Sequence, residues 1–316
     1  MNPEISVITP TRNRVSTLHR VFKSLEKQTF KNFEWIVCDD ASRDETIELL
    51  KKYKKKAKFN IRIFYHKIRA GKPKIDNFCL KKAKGKFVVY ADSDDGFKKN
   101  SFKDFVNEWK KIPYKKKLKI FAIISRCLSP NGKPLEPKLN IKDKSVSYTD
   151  LTYKYYKNTE KWLFINKKIL TKYKFLEIDF YVPEGLIWNK ISLNYNVWVL
   201  DNCYRIFYSD TQNSITHSQK INYPIGQLKS IQVSIKKKLV KKDKRYLINL
   251  INFYRFKFIN NLFFKYGIKT KIKMNIILRS LVSLLGFVLF VKDFLYFNIQ
   301  NEKFIKNKKE PVEINI

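Results

Sequence analysis

The chain has 316 residues, enough to bury a core and hold one large or two modest domains. Lys and Arg outnumber Asp and Glu by 66 to 28, a formal net charge of +38, yet the excess is mostly Lys dispersed among Asn, Ile, Phe and Tyr. No basic finger, basic zipper or RNA-binding signature occurs, which argues against nucleic acid as a partner. Cys38, Cys79, Cys127 and Cys203 lie far apart with no CxxC pair, so neither a zinc site nor a disulfide framework is indicated and a reducing cytosol fits. Met1-Asn2-Pro3-Glu4 leads straight into an apolar run and has none of the regions of a signal peptide.

In chain order, Ile5–Thr9 predicts a first buried strand broken by Pro10, followed by an amphipathic helix with Val15, Leu18, Phe22 and Leu25 on one face. A second strand near 34–38 stops on Asp39-Asp40. Ser42-Arg43-Asp44-Glu45 has the pattern of a capping box, so a helix is expected from about 43 to 53. A third strand covers 61–65, a loop follows at 68–73, a helix runs from about Lys74 to Lys84, and Gly85 stops it. The fourth strand, Phe87–Ala91, stops on Asp92-Ser93-Asp94-Asp95. A helix near 101–110, a strand near 119–125 and a turn at 129–134 come next, then a strand at 162–165, helices at 166–173 and 185–195, and two strands at 197–200 and 203–208. From about 219 the segments are Lys-rich and helical. Alternation of this kind predicts an α/β fold with a mainly parallel central sheet.

Two apolar strands that end abruptly on carboxylates place those carboxylates at the carboxyl edge of the sheet, where open α/β folds bind ligands. An Asp-x-Asp offers hard oxygens suited to Mg²⁺ or Mn²⁺, ions that usually sit between a carboxylate and substrate phosphates. Asp also favours turns, and that plainer reading stands beside the functional one.

The ordered set Ile8–Arg14, Ser24-Leu25 to Gln28-Thr29 with Phe33-Glu34, Val37–Thr46, Asn77 to Gly85 and Tyr90–Gly96 resembles the inverting family 2 glycosyltransferases of the GT-A (nucleotide-diphospho-sugar transferase) fold, over roughly residues 3 to 216. The resemblance implies a GT-A domain over 1–218, with a nucleotide-sugar half at 1–100 and an acceptor half at 101–218, and a basic helical extension over 219–316. It implies that Pro10, Thr11, Arg12, Asn13, Asp39 and Asp40 line the nucleotide pocket, joined by Arg69, Gly71, Lys72, Asn77, Asp92 and Ser93 around the sugar diphosphate. Asp94 and Asp95 become the main metal ligands, with His217 in a closing loop as a third. Similar enzymes open a helix in the acceptor half with Glu-Asp and use that Asp as the base; here Glu184-Gly185 stands there, so Glu184 inherits the role by position, beside Asp94 as the other catalytic residue. Asp179 is the alternative base, read otherwise as a turn residue.

The activity so implied moves a sugar from a nucleotide diphosphate donor, uridine by default, to a hydroxyl of a glycan or lipid-linked glycan in surface polysaccharide synthesis, with Mn²⁺ or Mg²⁺ as cofactor. Competing readings are a nucleotidyltransferase, which wants a Gly-rich phosphate loop that Pro10–Asn13 does not supply, and a basic membrane- or nucleic-acid-binding module without catalysis. The run Ser280–Val291 is too short to span a bilayer, which needs about 20 apolar residues. In-plane membrane contact at the cytoplasmic face of the cell membrane is the expectation, and a buried core helix the alternative.

Overall fold

The computed structural model describes residues 2–139, 141, 143–155, 160–210, 222–236, 244–264, 272, 274–296 and 312–314. It divides into two units. The first comprises Met1–Phe175, Ile187–Thr211 and Lys308–Ile316; the second comprises Leu176–Leu186 and Gln212–Asn307. The boundary expected at 218 is thus crossed twice, because 176–186 groups with the helical unit and Val312–Ile314 return to the sheet.

The first unit is built on strands β1 (Ile5–Thr11), β2 (Phe33–Asp40), β3 (Asn60–His66) and β4 (Phe87–Tyr90), which lie parallel in the order β3-β2-β1-β4. Their residues alternate between two apolar layers. Ile5, Val7, Trp35, Val37, Phe87 and Val89 face one side, with Leu18, Phe22, Leu25, Leu50 and Phe105. Ile8, Ile36, Cys38 and Val88 face the other, with Ile75, Phe78, Cys79, Ile187 and Trp188. Burial on both faces is why these strands read as continuous apolar runs. Strands β5 (Gly96–Phe97), β6 (Ile120–Leu128), β7 (Ser145–Val146), β8 (Lys161–Asn166) and β9 (Asn196–Ile206) extend the sheet beyond β4 in mixed orientation, in the order β8-β6-β9-β5 with β7 also on β9. Strand β10 (Val312–Ile314) pairs antiparallel with β3 and covers that edge, in a stretch expected to be part of a helical tail.

Several local expectations shift. Strand β1 continues through Pro10: Ala91 N–H bonds to Ile8 O, so the even residues of β1 face β4, and Pro10 lies past the end of β4 where no N–H is wanted. Helix α1 is His19–Glu26, starting late enough to leave Val15 exposed. The capping box does not form, because Ser42 is taken by Asp39 and Asn13, and helix α2 begins at Thr46. Helix α3 is Lys72–Lys82, and α4 is Ser101–Lys111. Gly85 lies beyond α3 rather than ending it; a Cβ there would sit 2.5 Å from Ser6 N, so close approach to β1 requires glycine. The two strands expected at 197–200 and 203–208 are one strand, β9, with register shifts against β6 around Arg126. Arg126 holds this irregularity by donating to Asp201 O at 2.6 and 2.8 Å.

The second unit packs the helices Pro224–Lys236, Lys244–Ile259 and Ile276–Tyr296 around Leu228, Leu250, Phe253, Ile259, Val282 and Phe290. Asp179, the alternative base, is buried and accepts from Gly226 N–H at 3.2 Å in the first turn of the Pro224–Lys236 helix and from Phe180 N–H at 2.8 Å. It is a helix cap supplied from upstream. Changing Asp179→Ala is expected to lower stability by about 1–2 kcal/mol through loss of that cap. Urea unfolding checks this, and an unchanged midpoint would refute the capping role.

Candidate active site

Strand β1 has β2 on one side and β4 on the other, and the chain order reverses there, so the carboxyl ends of β1 and β4 form the switch point at which open α/β sheets bind ligands. Both acidic clusters lie at this edge of the sheet. Thr11, last residue of β1, pairs with Asp39, while Asp92 follows β4 by two residues. The Thr11 hydroxyl is buried without a hydrogen-bond partner among the described residues.

The loops after β1 and β2 are laced together. Asn13, in the left-handed region at φ 53°, donates its N–H to Ser42 Oγ at 2.8 Å and accepts from Arg43 N–H at 2.8 Å. Arg14 N–H donates to Thr46 Oγ1 at 2.9 Å. Asp39 accepts from both the backbone and the hydroxyl of Ser42; burial raises its pKa against those bonds. Asp40 is buried, accepting from Ala70 N–H at 2.6 Å and Gly71 N–H at 2.9 Å, and its carboxylate therefore fixes the loop that carries Arg69 and Lys72. Burial raises its pKa too, with Arg69 and Arg12 opposing. Asn77 is spent on structure: its amide exchanges hydrogen bonds of 2.9 and 3.0 Å with the backbone of Phe175.

The loop Asp92–Asp95 is clamped from two directions. Thr17, just before α1, donates to Ser93 O at 3.1 Å, and Arg20 of α1 donates to Asp94 O at 3.0 Å. From β9 comes Arg205, because β5 follows Asp95 directly and pairs with β9, Phe97 opposite Arg205. Its guanidinium binds Asp92 at 2.7 Å and also Asp95, whose second oxygen accepts from Tyr208 N–H at 3.0 Å. Asp95, expected as a metal ligand, thus has both oxygens committed to protein donors. Asp94 keeps its carboxylate free of any side-chain partner among the described residues, which makes it the better placed of the two toward a cation.

The electrostatics follow from this layout. Burial disfavours the ionised form of Asp92, but Arg205, Lys72 and Arg14 outweigh it and hold the carboxyl below its usual range. Asp94 is pushed up by burial and by the charge of Asp92. Asp95 is raised to about 7, by burial above all and by Asp92 and Asp94, with Arg205 opposing. Lys72 also donates to Asp76 at 3.1 Å. An ionised carboxylate beside one whose charge is resisted, ringed by Arg14, Lys72 and Arg205, suits a divalent cation with an anionic diphosphate. Among the described residues no cluster of three or more His, Cys, Asp or Glu converges as a metal cage, which an ion completed by substrate oxygens does not need. Glu184 belongs to the second unit, directly before the Gly185–Ile191 helix. His217 lies outside the described residues.

Neither Arg205 nor Arg14 is assigned a role by the motifs. For Arg205 the available signal was a single arginine in an apolar strand of a sheet with acidic strand ends.

The family model described as "Glycosyl transferase family 2" matches residues 6–190, more than half of the chain. The chain belongs to glycosyl transferase family 2. The transferase is 38% identical over 111 residues to poly(ribitol-phosphate) beta-N-acetylglucosaminyltransferase TarS of Staphylococcus aureus, covering 33% of this chain and 19% of that protein. It therefore spans only about a fifth of that relative's length. Similarity runs farther, at 26% identity over 267 residues and about four fifths of both chains, to the GalNAc(5)-diNAcBac-PP-undecaprenol beta-1,3-glucosyltransferase of Campylobacter jejuni. Among solved structures, TarS 1–349 in complex with UDP-GlcNAc superposes with a TM-score of 0.58 at 20% identity, covering 92% of this chain and 81% of that one. The mannosyltransferase PcManGT of Pyrobaculum calidifontis, in complex with GDP-Man and Mn²⁺, gives 0.54 at 14% identity, covering 94% and 88%. The fold is GT-A, as the motif order implies. The nucleotidyltransferase and non-catalytic readings give way to glycosyl transfer.

Proposed function

We propose that the transferase moves one sugar, with inversion, from a uridine diphosphate sugar to a hydroxyl of a lipid-linked glycan at the cytoplasmic face of the cell membrane. The observation that carries this is the carboxylate of Asp94, which has no side-chain partner among the described residues and sits in a clamped loop at the switch point while Arg205 engages its neighbours. Similarity along four fifths of the chain to a protein named for an undecaprenol-diphosphate acceptor supports the lipid-linked class.

In this reading Thr11, Arg12, Asn13 and Asp39 line the nucleotide pocket, with a lone pair of Asp39 accepting from the base. Arg69, Lys72 and Arg14 supply positive charge for the diphosphate, and Asp92 holds the sugar or the ion. The hard oxygens of Asp94 and Asp92 fit Mg²⁺ or Mn²⁺, which when bound offsets charge growing on the leaving diphosphate. Glu184, before the Gly185–Ile191 helix, takes the proton of the acceptor hydroxyl as it attacks the anomeric carbon, and the glycosyl bond to the diphosphate breaks on the opposite face. Holding both reactants in line carries the rest of the rate.

A thermal-shift series with nucleotide sugars tests the donor class: UDP-sugars with Mn²⁺ are expected to raise the melting temperature, and a preference for guanosine donors would overturn the uridine assignment. Glu184→Gln keeps the shape and cannot accept a proton, so donor binding persists while transfer falls by about 10²–10⁴-fold. Full turnover in that variant would remove Glu184 as the base.

A further inference from the structure

The Ile276–Tyr296 helix is apolar on both its faces, and among the described residues one of them packs inside the second unit. Val282, Gly286, Phe290 and Asp293, spaced four, four and three apart, form the packed face. A Cβ at Gly286 would meet Tyr254 Cβ at 2.7 Å and Ile251 O at 2.8 Å, so this side lies directly against the Lys244–Ile259 helix. Arg255 of that helix pairs with Asp293 at 2.6 Å. On the opposite face Ile277, Leu281, Leu284, Val288 and Leu295 recur at helical spacing, and they are 79%, 51%, 62%, 57% and 69% exposed, where Val282 is fully buried. A stripe of this kind on a soluble surface marks an interaction site. The core-helix alternative thus describes one face of this helix and leaves the other exposed among the described residues.

Charge selects the occupant. Between 212 and 307 the acidic residues are Asp243, Asp293 and Glu302, against a much larger number of Lys and Arg, and Asp293 is neutralised by Arg255. Exposed Lys292 borders the stripe. Two copies of so basic a unit repel one another, whereas an anionic bilayer attracts it. Among the described residues no helix is long and apolar enough to cross a membrane, and the Val282 face is already held by protein. We propose that the Ile277–Leu284–Val288–Leu295 face docks in the plane of an anionic lipid surface, its side chains in the acyl boundary and Lys292 at the headgroups. This goes beyond the transferase reading, and vesicle binding is measured without sugar transfer, so either can fail alone.

Truncating the tail is the wrong test, because 282 and 290 belong to the core of the second unit and 312–314 pair with β3. Instead the full chain is floated with phosphatidylcholine vesicles with and without phosphatidylglycerol. Flotation is expected only with the anionic lipid, and Ile277→Ser, Leu284→Ser and Val288→Ser together should reduce it by about tenfold or more at an unchanged melting temperature. Undiminished flotation of the triple variant overturns the proposal, as does a fall in its oligomeric mass without loss of flotation, which assigns the face to a second copy. A single Val288→Trp change provides an independent readout: brominated lipid should quench its added fluorescence beyond that of the parent chain, and no added quenching overturns the proposal even if the triple variant fails to fold.

Discussion

Asp94→Asn abolishes sugar transfer and weakens Mn²⁺-dependent donor binding, with the fold retained. The expectation rests on what the side chain touches. Thr17 and Arg20 hold the loop through the carbonyls of Ser93 and Asp94, so the conformation does not depend on the Asp94 carboxylate. Burial and Asp92 already resist its charge, so the amide removes an unfavourable ionisation and stability is kept to within about 0.5 kcal/mol. What is lost is one hard anionic oxygen donor for a cation, and with it the charge balance of the departing diphosphate. Titration of the variant with Mn²⁺ in the presence of UDP, beside transfer assays and a melt, separates the three effects. Undiminished turnover would remove Asp94 from the site.

Arg205→Met is expected to cost about 3–5 kcal/mol, because it strands two carboxylates hydrogen-bonded to one guanidinium, Asp95 buried among them, and removes a longer ion pair with Glu160 at 3.8 Å. Arg205→Lys should fall between, since one ammonium cannot fork to both partners. The double change Arg205→Met with Asp95→Leu removes the more deeply buried of the two uncompensated charges and should recover most of the stability. It should not recover transfer, because Asp92 is then no longer held. Urea unfolding and transfer rates of the single and double variants distinguish a positioning role from a merely structural one: recovery of both together would leave Arg205 structural, and a parent-like midpoint for Arg205→Met would refute the ion pair.

What the sequence by itself determined is the part governed by local periodicity. Strands β1, β2 and β4 are buried on both faces and carry short apolar runs, β3 carries Ile61, Ile63 and Phe64 between polar residues, and α1 to α4 alternate with them closely enough that order, direction and the position of both acidic clusters follow. The ordered motifs added the family. Tertiary structure decided which partner each polar side chain takes. Ser42 carries a capping pattern, but Asp39 and Asn13 reach it first. Asn77 finds Phe175 across 98 positions, and Asp179 caps a helix 47 residues away. Of the adjacent Asp94 and Asp95, equivalent in the sequence, Asp95 is committed and Asp94 has no side-chain partner among the described residues, because β5 lays Asp95 against an arginine 110 residues downstream. Pairings at such separation leave no trace in local spacing; they are fixed by strand order and register, which emerge only when the sheet closes around its core.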